Sequence, residues 1–141
     1  MRLSKKIVPY VSLFFVSIML LVNSCSYKEE SDNRFSTPRK SYDLWIDASL
    51  KGDIPATMEC LTRNSVNFMK QQMKNRDIFI KRMVGSAKIF NNYSSAKIDI
   101  KGDSAVLVLK KSIKQNVINV PFRLEDGEWK VDLIAMFGRK G

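Results

Sequence analysis

An α+β fold is predicted by the order in which two hydrophobic periodicities follow each other along the chain. Up to about residue 84, apolar residues recur at helical spacing between capping signals; beyond Gly85 they alternate or run unbroken. The stop signals change as well. A helix-type ending, Lys51-Gly52, gives way to hairpin-type turns at Lys101-Gly102-Asp103 and Glu125-Asp126-Gly127-Glu128. Helices first and antiparallel strands afterwards predict N-terminal helices packed on one face of an antiparallel sheet of about four strands.

Each element has its own warrant. Thr37-Pro38 is a helix start, a hydroxyl cap with proline at the first helical position, and Tyr42, Trp45, Ile46 and Ser49 then line one face. Asp53 caps a second helix with Pro55 in its first turn and Met58, Cys60 and Leu61 inside. A polar break at Arg63-Asn64 precedes a third, with Val66, Met69 and Met73 on one side. Ile78, Phe79, Ile80, Met83 and Val84 fit a continuing helix or a starting strand equally well. Residues 87–100 read as a strand kinked around Asn91-Asn92, 105–111 as a second strand and 117–124 as a third. Residues 129–136 return from the last hairpin turn. The unbroken run at 106–109 predicts cover on both sheet faces, as a dimer partner would give, and Pro121 predicts an edge or a bulge.

Composition narrows the chemistry. The 141 residues hold 24 Lys or Arg, 14 Asp or Glu, no His and two Cys. Lack of His removes His-based triads, His general bases and most metal sites. Two Cys build neither a zinc cluster nor a disulfide scaffold, so no metal and no cofactor is expected. Cys60, in an apolar helical stretch, reads as a buried small hydrophobe.

Residues 1–24 are of a different kind. Arg2, Lys5 and Lys6 precede an apolar run of 16 residues at 7–22, short of the roughly 20 a membrane-spanning helix needs. Such a basic start and apolar centre, ending in small residues, is a secretory signal. Its last residues, Leu21-Val22-Asn23-Ser24-Cys25, resemble the lipobox of bacterial lipoproteins, Val22 and Ser24 matching the pattern and Asn23 departing from it. The resemblance implies cleavage before Cys25 and lipidation of its thiol, and acyl chains anchor through roughly 0.8 kcal/mol per buried methylene. Ser26, where inner-membrane lipoproteins of enteric bacteria typically carry Asp, favours the outer membrane. Processing leaves 21 basic and 14 acidic residues, a net +7. Residues 25–37 read as a lipidated polar tether and 38–141 as the domain.

Three motifs follow one another in the domain: Leu50-Lys51-Gly52-Asp53 at a helix end, the strand start Gly102-Asp103-Ser104-Ala105-Val106, and the closing Glu125-Asp126-Gly127-Glu128-Trp129-Lys130-Val131. The resemblance they carry is to the nuclear transport factor two-like superfamily. It covers about residues 38–136 and implies a curved sheet wrapped on the helices as a cone, often with an internal pocket and with dimers formed through the sheet. Catalytic members that isomerise steroids use a carboxylate base with Tyr and protonated-acid donors. No matching pair stands out here. Asp99 and Asp132 alternate with inward apolar residues, and Asp43 and Asp47 fall off the Tyr42-Trp45-Ser49 stripe.

The leading expectation is therefore a non-enzymatic, membrane-anchored periplasmic module binding an envelope protein or a small apolar ligand. Tyr42, Trp45, Phe68, Met69, Phe122 and Trp129 are the candidate pocket residues, although aromatics and Met fill ordinary cores as readily. The alternative is an isomerase- or cyclase-type enzyme acting on a hydrophobic substrate in the cone. It requires a bulge that turns Asp99 or Asp132 inward. Lys70, Lys74, Arg76, Lys81 and Arg82, and separately Lys110, Lys111 and Lys114, form basic stretches able to meet anionic envelope components. Nucleic acid is not an expected partner, since there is no base-stacking motif.

Overall fold

The computed structural model describes residues 33–111 and 116–138. The signal segment, Cys25, most of the tether and Lys114 lie outside these residues. A short 3-10 turn, Asn33–Phe35, leads into helices α1 (Pro38–Leu50), α2 (Ile54–Glu59), α3 (Arg63–Gln72) and α4 (Arg76–Asn91). Strands β1 (Ser94–Lys101), β2 (Ser104–Lys110), β3 (Val117–Glu125) and β4 (Glu128–Val131) follow, then helix α5 (Leu133–Phe137). The strands form one antiparallel sheet in the order β1-β2-β3-β4, so the chain is α+β as its sequence predicts.

Local chemistry sets the helix boundaries. Thr37 Oγ1 accepts from Lys40 N–H at 3.2 Å, Asp53 Oδ1 from Ala56 N–H at 3.1 Å, and Asn75 Oδ1 from Ile78 N–H at 3.1 Å. α1 ends at Gly52, whose φ of +70° lets Asp53 N–H reach Ala48 O (3.0 Å) and Gly52 N–H reach Ser49 O (3.1 Å). That double bond pattern satisfies carbonyls the helix end would leave without donors.

Register assigns the faces. Ala105, Leu107 and Leu109 of β2 lie opposite Phe122, Val120 and Ile118 of β3, and Phe122 opposite Val131 of β4. This face meets Tyr42, Trp45, Ile46 and Phe90 of the helices in one buried core. The Trp45 and Phe90 rings meet at a tilt of 56° with centroids 5.4 Å apart, and aromatic pairs contribute about 0.5–1.5 kcal/mol beyond their burial. Ser41 Oγ ties α1 to β4 by donating to Trp129 O at 2.6 Å. The segment between α2 and α3 runs parallel along β4: Val131 N–H donates to Cys60 O (2.8 Å) and Thr62 N–H to Val131 O (3.0 Å).

β1 overhangs this core. Ile98 and Ile100 share a face with Leu107 and Ala105 by register, yet Ile100 is 56% exposed. The register slips between Ser95 and Lys97, a bulge in the outermost strand.

The structure corrects the sequence expectations at five places. The chain packs from Asn33, not Pro38: Phe35 is 4% exposed in the core, with the Lys130 ammonium 3.6 Å from its ring centre. The break before α3 falls at residues 60–62, because Thr62 is the cap and Arg63 already helical. Residues 87–91, read as strand, complete α4, which runs through Gly85 from its Asn75 cap; β1 starts at Ser94. The last strand stops at Val131, because Asp132 caps α5 by accepting from Ala135 N–H at 3.0 Å. Pro121 sits in an interior strand, opposite Val106, rather than at an edge. Its carbonyl accepts from Asp132 N–H (2.9 Å), so its donorless nitrogen points toward the end of β4, where the ladder has finished.

Candidate functional site

The interior between helices and sheet is filled. Leu107, Leu109, Val120 and Val131 have no exposed surface and Phe122 almost none, which leaves no room there for the cone pocket that the family resemblance implied. A domain of this size needs those side chains for packing.

Open volume lies instead among the helices. α1, α3, α4 and α5 enclose a cleft of about 530 Å³, within the range of small-molecule sites. No strand residue lines it. Trp45, Met69, Phe79, Met83 and Phe90 provide its apolar wall, with Leu133 and Phe137 of α5 alongside. α4 supplies most of this wall because Phe79, Met83, Ala87 and Phe90 fall on one face at steps of three and four residues.

The polar groups are few. Ser49 and Thr57 hydroxyls, 3.5 Å apart, reach the lining, and Thr57 Oγ1 donates to Asp53 O at 2.7 Å. Gln72, Lys74, Asn75 and Arg82 also line it; all four are solvent-exposed, which puts them at the mouth. Asn75 already spends its side-chain oxygen on capping α4. The lining contains no carboxylate, thiol or imidazole, and the described residues contain no cluster of three His, Cys, Asp or Glu fit to hold a metal. Hydroxyls, amides and cations of this kind can bind and orient a ligand against the apolar wall.

Of the six sequence-level candidates, the cleft brings together Trp45 and Met69. Tyr42 is buried behind Trp45, its ring 6.0 Å away, and its hydroxyl donates to Phe90 O at 3.3 Å. Phe122 and Trp129 belong to the sheet core, and Phe68, 39% exposed on α3, does not line the cleft. Phe79, Met83 and Phe90 were missed as lining residues, their signal being the helical stripe along residues 79–90, whereas Lys74 and Arg82 come from the basic stretch the sequence singles out.

The acids needed by the enzyme alternative stand elsewhere. Asp99 faces away from Ile98 and Ile100 and pairs with Lys97 at 2.7 Å. Asp132 caps α5 and lies 3.7 Å from Arg123. Neither lines the cleft. Two buried groups are perturbed, both by loss of water. Burial pushes the Tyr42 phenol from 10.0 to about 12, against the pull of Arg39. Burial likewise pushes the Cys60 thiol from 9.0 to about 12, against the pull of Lys130, and its Sγ donates to Ala56 O at 3.3 Å. No helix among the described residues is long and apolar enough to cross a membrane.

No protein-family model matches the chain, and no curated protein matches it. Among solved structures, it is similar to the 2.00 Å crystal structure of a Campylobacter jejuni protein described as an NTF2-like transpeptidase. The two share 14% identity with a TM-score of 0.44, over 68% of this chain and 98% of that one.

Proposed function

We propose that the chain is an exported bacterial lipoprotein, held to an envelope membrane through Cys25, whose nuclear transport factor two-like domain is a non-enzymatic receptor for a small apolar ligand. The observation that carries the ligand reading is the cleft of about 530 Å³ walled by Trp45, Met69, Phe79, Met83 and Phe90. A gap of this size among large apolar side chains forgoes packing contacts, a cost that a ligand filling it removes. Capture of a partner protein, the other expectation, would call for an apolar patch on the outer sheet face; there Val106 and Val108 are half-buried beside Lys97, Asp99 and Asn119. The basic start, apolar run and Cys25 motif support the anchor.

Native mass spectrometry of the mature protein, extracted gently from the host envelope, tests the receptor reading, with added mass counted beyond the lipidated chain. A reproducible added mass is expected, and it should vanish in Ser86→Trp, which places an indole in the cleft from an exposed position on α4. Protein free of adduct, or an adduct that survives Ser86→Trp, counts against it.

A further inference from the structure

Resting on that receptor reading, we infer that the ligand is an amphiphile with an apolar tail and an acidic head, its head held at the cleft mouth by Lys74 and Arg82. The lining carries two charged residues, and both are cations. Neither is in an ion pair among the described residues, and Asp77, the acid nearest to them along the chain, does not line the cleft. Two positive side chains in a lining without an acid raise the local potential for an anion, and the low-dielectric wall behind them strengthens that field.

Their placement matches the division of an amphiphile. Lys74 stands in the link between α3 and α4, and Arg82 lies on α4 close to two turns beyond it, on the face that also presents Phe79 and Met83. The wall deeper in is apolar: Trp45, Met69, Phe90 and Leu133. A ligand with charge at one end and hydrocarbon at the other satisfies both zones, whereas a purely apolar ligand leaves the cations unused. A cationic one meets repulsion. The Arg82 guanidinium can hold two oxygens of a carboxylate or phosphate at once, and Lys74 adds a point charge.

The test uses the full chain in phosphatidylcholine nanodiscs and a photoactivatable diazirine fatty acid as probe. Cross-links are expected on peptides of α1, α3 and α4. Decanoate, decan-1-ol and decyltrimethylammonium, which share one tail, are then compared as competitors of the cross-link. In the double variant Lys74→Gln/Arg82→Gln, the decanoate needed for half-competition should rise about tenfold, as expected for two partly exposed charge contacts. That needed for decan-1-ol should not change. Raised salt should weaken decanoate alone. If the double variant leaves decanoate unaltered, or shifts both competitors alike, the acidic head is refuted while the cleft remains a receptor. If no peptide of the cleft is labelled, both readings fall. Decyl phosphate against decanoate, both run on the wild-type chain, then tells a phosphate head from a carboxylate one.

Discussion

Cys60 and Tyr42 each keep an ionisable group within the core, Cys60 in the segment that pairs with β4 and Tyr42 beside Trp45, its hydroxyl on Phe90 O. Burial favours the protonated form of both, so the folded chain keeps protons that the unfolded chain has already released. The stability this contributes is complete below pH about 9 and is lost as the pH rises through the folded values near 12. Denaturant unfolding followed from pH 8 to 12 should show that decline, and Tyr42→Phe should flatten it, leaving the Cys60 contribution. A curve equally steep in Tyr42→Phe would contradict the assignment. With Cys25 replaced by Ser, Cys60 is the one remaining thiol; it should be inert to Ellman's reagent at pH 8 until the protein is unfolded. Buried small hydroxyls matter at this scale too. Ser65 Oγ accepts from Leu133 N–H at 2.9 Å and meets Thr62 Oγ1 at 2.7 Å, so Ser65→Ala leaves a buried N–H without a partner and should cost about 1–3 kcal/mol in denaturant unfolding.

Among the elements, glycine separates two kinds of position. Gly52 ends α1 at positive φ with Ile80 Cγ2 only 3.0 Å from where a β-carbon would stand, so Gly52→Ala should destabilise by about 1 kcal/mol or more. Gly85 lies inside α4 with open space around its missing β-carbon, so Gly85→Ala should raise stability by about 0.5–1 kcal/mol. Thermal melts of the two variants should move in opposite directions. Gly85 also explains a misreading. The sequence makes α1 and α2 legible because Thr37, Pro38, Asp53 and Gly52 all state their boundaries in local chemistry. α4 has a clear cap at Asn75, but its apolar residues spread around the helix and a glycine interrupts them, so helix and strand periodicities competed and its last turn read as strand. At the C-terminus, Asp132 alternates with Val131 and Leu133 as a strand residue would, and only its bond to Ala135 N–H reveals a cap. The cleft was legible in the same uneven way. Trp45 and Met69 sit on stripes that could be read, whereas the α4 wall could not be read until α4 was one helix.

For the whole molecule, the decisive variant is Cys25→Ala, which should release the protein from the membrane fraction; unchanged fractionation would contradict lipid anchoring. The fold class was legible because helices α1–α4 precede strands β1–β4 along the chain, and the hairpin turn at Asp126 and Gly127, both at positive φ, is written in its sequence. Which cavity stays open was not, since it depends on whether β-sheet side chains or helices fill the middle. The bulged outer strand has a consequence for the protein at high concentration. At such concentrations, copies of this domain would bring their β1 strands together, and Ile98 and Ile100 would reward stacking into a longer sheet. The slip at Ser95–Lys97 breaks the straight row of amides and carbonyls that another strand needs, and Lys97 and Lys101 set like charges against any newcomer. The same irregularity that leaves β1 overhanging the core therefore keeps neighbours apart, as a burr on a rail keeps a second carriage from coupling.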